Sequence, residues 1–146
     1  MARTPTIFRP RCGGRHHHPF ESSLTGQSAK AVADAYEQAS GKQWTQPIGF
    51  VHSLFEVAVD VMKRTSDVGD NKAVVKSIAS TKLDTVVGPI AWDGKNVPPF
   101  AAKNITKTPL VGGQWRHREG NKYDIVITDN KTFPAIPIGG QMQPIA

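Results

Sequence analysis

The stretch GFVHSLFEVAVDVMKR, residues 49–64, decides the fold class. Val51, Leu54, Phe55, Ala58 and Met62 recur at helical spacing and hold one face, while Val57, Val59 and Val61 widen it. A helix apolar over so much of its circumference is expected to be buried on more than one side. Its remaining stripe carries His52, Glu56, Asp60 and Arg64 at intervals of four. Such a line is open to two readings, an acid/base or metal constellation and a solvated helix face ending in an Asp60–Arg64 ion pair. The solvated face is the simpler one.

Outward from this helix the pattern stays helical on both sides. Ser22 to Ser28 offer several N-caps before Ala29, Val32, Ala33, Tyr36 and Ala39, an amphipathic series that Gly41 closes as a left-handed C-terminal residue. A turn is expected around Pro47. After residue 64, Asp67 to Asp70 are turn formers, and Asp70 or Asn71 caps a short helix through Ala73, Val74, Ile78 and Ala79. Three helices are thus expected between residues 25 and 80.

The character then changes. TVVGPIAWDGKNV, residues 85–97, has β-branched residues, a Gly-Pro break and an Asp93-Gly94 pair, the chemistry of a short strand or hairpin. LVGGQWRH and KYDIVIT, separated by R-E-G-N, predict a second hairpin, with Gly112-Gly113 as a strand bend. From Phe133 the chain is too rich in proline and glycine for a central strand and is expected to wrap the surface. Two hairpins at most are too few to cover these helices, and a sheet from another chain or from missing sequence would resolve the deficit.

With 146 residues, 38% apolar and 21% charged, the composition is that of one globular domain or part of one. The net charge of +6 is unevenly placed. Residues 1–20 hold Arg3, Arg9, Arg11 and Arg15 and no acid, leaving 14 basic against 12 acidic side chains in the nearly neutral remainder. No basic stripe with interleaved aromatics occurs there, which argues against nucleic acid as partner of the body. The alternative reading is a small basic module that binds nucleic acid or another polyanion through the Arg/His arm, residues 1–19. No apolar run is long enough for membrane insertion, and MARTPTIFRPRCGG lacks the apolar stretch of a secretory signal, so the chain as written would stay cytoplasmic.

The densest chemistry is RPRCGGRHHHPF, residues 9–20, with Cys12, His16, His17 and His18. Adjacent histidines in an extended arm point alternately to opposite sides, and the spacing does not repeat a zinc-ligand pair, so no metal site and no cofactor is expected. Phosphate-loop, nucleophile-elbow and zinc-protease motifs are missing from the sequence, so an enzyme is not expected either. The candidate ligand-binding residues are Phe50, His52 and Ser53, read as lying at the start of the helix, where free backbone N–H groups favour a carboxylate. The other reading of His52 is a histidine that satisfies a buried backbone carbonyl.

In order and spacing, SLTGQSAKAVADAYEQASGKQWTQPIGFVHSLFEVAVDVMKR, then STKLDTVVGPIAWDG, then LVGGQWRHREGNKYDIVI resembles the C-terminal part of ABC-transporter substrate-binding proteins of the branched-chain amino acid (leucine-binding) type. The most specific pieces are the helix ending in Lys63-Arg64, the G-P-I-x-W-D of Gly88 to Asp93, and the Gln114-Trp115 strand. The resemblance runs from about Pro19 to the end. It implies an α/β fold, the incomplete C-terminal portion of a type I periplasmic binding protein with two lobes, each a parallel sheet flanked by helices.

By that resemblance residues 20–45 hold a second-lobe helix, 46–110 a first-lobe segment, and 111–146 the return crossover and tail. The expected function is solute capture for an ABC importer, with an amino acid-like solute between the lobes and an inner-membrane permease as partner. The expected location is the periplasm. His52 falls where many relatives carry a helix-opening aromatic. Residues 1–19 match nothing in the family and read as a disordered, non-native arm left by a truncated or disrupted reading frame or by a misplaced start codon.

Overall fold

The computed structural model describes residues 18–95, 97–118 and 122–144. The chain divides between Pro109 and Leu110 into two compact units.

In the first unit, helix α1 (Ala29–Ser40) opens on Ser28, whose side chain accepts the Ala31 N–H, and closes on Gly41 at φ 65°. The chain then folds back so that the Trp44 N–H donates to Glu37 Oε1 at 2.7 Å and its ring stands edge-on to Tyr36. Helix α2 (Gln46–Arg64) starts three residues before the stretch that predicted it. Pro47 lies in its first turn, where a missing N–H leaves no hydrogen bond unmade. Helix α3 (Asn71–Ala79) is capped by the Asp70 carboxylate at the Lys72 N–H.

Strands β1 (Lys82–Thr85) and β2 (Gly88–Ala91) form an antiparallel hairpin with Thr85 opposite Gly88. Its turn is Val86-Val87, directly before the Gly88-Pro89 break, and not Asp93-Gly94. Two β-branched residues are poor turn formers, and they hold this one because their polar groups are satisfied from inside. The Val86 N–H donates to Glu56 Oε2 at 2.9 Å, the Val87 N–H to Thr85 Oγ1 at 3.3 Å, and Thr85 Oγ1 to the Gly88 carbonyl at 2.8 Å. Gly88 sits at φ 110°, and a Cβ there would lie 2.6 Å from Pro109 Cγ. Asp93-Gly94 makes a separate turn after β2, with the Lys95 N–H on Asp93 Oδ1 at 3.0 Å.

The core of this unit gathers Ala29, Val86, Val87 and Ile90, with Val32, Phe50, Val57 and Trp92 packed against it. The orientation of α2 reverses the expectation. Its inward stripe is Gly49, Ser53 and Glu56, all buried, together with Val61 at its flank. Val51, Leu54, Phe55 and Met62, the face expected inside, are 51%, 69%, 63% and 56% exposed. The solvated-face reading therefore fails at Glu56, which is fully buried. The Asp60–Arg64 pair forms at 2.7 Å as expected, but Arg64 also reaches the Ser77 carbonyl, Ser80 Oγ and Thr81 Oγ1, tying α2 to the end of α3. The hydrogen bonds that Arg64 donates to Asp60, ahead of their charge attraction, raise the Arg64 pKa above its ordinary value.

In the second unit, β3 (Gly112–Arg118) and β4 (Lys122–Asp129) pair antiparallel, with a register irregularity between Gly112 and Gly113 where the bend was expected. Val111, Ile125, Ile127 and Ile136 are its buried apolar residues. Residues 130–144 form no helix or strand and return to the hairpin, the Gly139 and Gly140 N–H groups donating to the Ile127 carbonyl.

The fold is thus mixed helix and strand with two small antiparallel sheets. Every strand pair among the described residues is antiparallel. No helix among the described residues is long and apolar enough to cross a membrane.

Candidate functional site

Because α2 begins at Gln46, His52 is its seventh residue and not part of the opening turn. The free N–H groups of a helix start belong to its first four residues, so the expected carboxylate cradle at His52 is not formed. The helix instead points His52 and Glu56, one turn apart, toward the segment that leads into α1. His52 Nε2 and Ser22 Oγ are 2.8 Å apart. Glu56 Oε1 accepts the Ser23 N–H at 2.6 Å and the Ser23 hydroxyl at 3.2 Å, while its other oxygen takes the Val86 N–H.

A carboxylate with no exposure is costly unless hydrogen bonds replace its water. Here three donors from two segments do so, and the same bonds join the lead-in of α1, helix α2 and the Val86-Val87 turn. This occupation engages both oxygens of Glu56 in internal bonds. A serine beside a histidine nitrogen has the form of a nucleophile and its base. Ser22, however, is only 2% exposed and also accepts the Leu24 N–H at 3.3 Å, so the pair holds a segment in place.

The three sequence-predicted residues go to different surroundings. Ser53 is buried and donates to Thr85 Oγ1 at 3.1 Å, an internal bond. Phe50 is half-buried against the Val86, Val87 and Ile90 cluster, and His52 is half-buried against Ser22. Ser22 and Ser23 escaped sequence reasoning, since two serines before a helix signal only an N-cap. Their partners lie 30 and 33 residues away, beyond any local pattern.

A shallow concavity of about 390 Å³ lies elsewhere in this unit, along the first hairpin, between Lys82, Leu83, Pro89, Ile90, Asp93 and Lys95. The Lys95 backbone N–H, foremost, holds the Asp93 carboxyl below the usual aspartate value. With lysines and aspartates interleaved, this wall has no strong preference for either sign of charge.

Among the described residues, no group of three His, Cys, Asp or Glu side chains is placed to hold a metal ion. Cys12, His16 and His17 lie outside the described residues. His18 is buried, edge-on to Phe20 with ring centroids 5.8 Å apart. Compared with protein-family models, curated proteins and solved structures, the chain matches none.

Proposed function

We propose that this chain is part of a two-lobed solute-binding protein, the component that captures an amino acid or similar small polar solute for an ABC importer and presents it to the inner-membrane permease. The reading places that protein in the periplasm. Its motif support is the ordered series of G-P-I-x-W-D, Gln114-Trp115 and the Lys63-Arg64 helix end. The observation that carries it is the reversed α2. Val51, Leu54, Phe55, Ala58 and Met62 form an uncharged stripe exposed along three turns, the surface a helix keeps for a layer packed on it. On this reading the layer is a parallel sheet belonging to an upstream half. Phe50 and His52, both half-buried, are the residues left to line the solute cleft, while Ser53 supports the hairpin behind them.

The resemblance assigns α1 and α2 to different lobes, whereas residues 18–109 form one unit in which Ser22 and Ser23 are bonded to α2. A chain crossing between lobes passes through a hinge, and on this reading these bonds belong to that crossing.

Isothermal calorimetry of the 146-residue chain with a panel of amino acids is expected to show dissociation constants weaker than about 1 mM, since half the cleft walls are absent. A chimera that supplies the upstream half of a leucine-binding-type protein is expected to bind tightly, with His52→Ala weakening it at least about tenfold, roughly the 1.4 kcal/mol of one lost contact. Micromolar binding by the isolated chain would overturn the proposal.

A further inference from the structure

In the second unit, residues 139–143 of the tail are hydrogen-bonded to the hairpin through their main-chain atoms. Gln114 uses both ends of its amide on one residue, Nε2 donating to the Gln143 carbonyl at 2.6 Å and Oε1 accepting the Gln143 N–H at 2.9 Å. That is the exchange a neighbouring β-strand residue would make. Two residues along, on the same face of β3, Arg116 donates to the Gln141 carbonyl at 2.5 Å. The Ile127 carbonyl takes the Gly139 and Gly140 N–H groups at 2.9 and 3.2 Å.

The side chains of residues 138 and 141–143 contribute little to this contact, whereas Ile136, just before them, is buried. Ile138 and Met142 are 56% and 50% exposed, and Gln141 and Gln143 are exposed as well. The one position with a steric requirement is Gly140, where a Cβ would stand 3.1 Å from Val126 Cγ1 and 3.5 Å from an Arg116 guanidinium nitrogen. The hairpin therefore presents a row of groups that fits an extended backbone, indifferent to most side chains and selective for glycine at one point. Recognition of extended peptides commonly rests on this combination of main-chain hydrogen bonds and one size-limited position.

We propose that the Gln114–Arg116 face of the second hairpin is a peptide-binding seat, occupied in the resting chain by its own residues 139–143, and that the same segment of a second copy binds there when the seat is open. A tethered segment acts at an effective concentration in the millimolar range, so the resident tail excludes a free one. Exchange of tails between copies then needs no new contact, only release of the resident one.

The test uses the full chain. Gly140→Val places a side chain against Val126 and Arg116 and expels the resident tail. Gln143→Pro opens the seat differently, by removing the N–H that Gln114 accepts. A fluorescently labelled peptide of residues 137–144, read by anisotropy, is expected to saturate both variants and to bind the wild-type chain at least about tenfold more weakly. Adding Gln114→Ala to either variant is expected to abolish binding, and a peptide carrying valine at the Gly140 position is expected not to bind. The proposal is overturned if the peptide ignores both variants, or binds equally with and without Gln114. Loss of the β3–β4 amide signals in both variants overturns it too, because a hairpin that exists only under its own tail is core and not a seat.

Discussion

Glu56 shows how far one side chain's setting departs from its sequence context. Its helical interval with His52, Asp60 and Arg64 says that the four share a stripe, which is correct, and nothing in that interval says whether the stripe meets water. The difference lies in Ser23 and Val86, whose N–H groups need an acceptor inside. Replacing Glu56 with alanine strands those donors, and a loss of about 2–4 kcal/mol in urea-unfolding free energy is expected. Glu56→Gln keeps one accepting oxygen and is expected to lose less.

Asp93 offers a second test at this scale. The Lys95 backbone N–H, then the Lys95 side chain at 3.4 Å, outweigh partial burial and lower its folded pKa. A depressed carboxyl stabilises the folded chain above its unfolded pKa and loses that contribution as pH falls through the folded value. The window therefore lies below the ordinary 3.8. A carboxyl ¹³C titration is expected to give an Asp93 midpoint below that value. Lys95→Pro, which removes the donor, is expected to bring it back toward 3.8.

Among the elements, the three helices and the second hairpin were legible because their signals are local. Ser28, Gly41 and Asp70 cap where their chemistry says, and Gly112-Gly113 bends the strand. The turn of the first hairpin was not legible because Val86-Val87 is made a turn by a carboxylate 30 residues earlier, outside any local pattern. For α2, periodicity located both faces and hydrophobicity chose the wrong one as inward. The exposed stripe has a direct check. Leu54→Gln with Phe55→Gln is expected to leave the urea-unfolding free energy within about 0.5 kcal/mol and to raise solubility, since neither side chain is part of this unit's core. Val61→Ala, which removes a side chain only 4% exposed, is expected to destabilise by about 2 kcal/mol.

At the scale of the whole molecule, the sequence showed a shortage of strands, and the structure has the same shortage: four strands in two antiparallel pairs among the described residues, beside three helices. The candidate site was less legible than the fold. Phe50, His52 and Ser53 were named for a helix opening that occurs earlier in the chain, and their surroundings depend on where Ser22 and Thr85 come to rest.

The buried Glu56 carboxylate also bears on how the first unit assembles. Its three bonds join residues 23, 56 and 86, so the β1–β2 turn cannot satisfy its leading N–H until α2 is in place. Loop-closure entropy for both long connections is then lost before any of these bonds is gained. The lead-in to α1, helix α2 and the hairpin thus have little independent existence as folding units. They are expected to form in one cooperative step, in which the hairpin that looks most local in sequence depends on the other two.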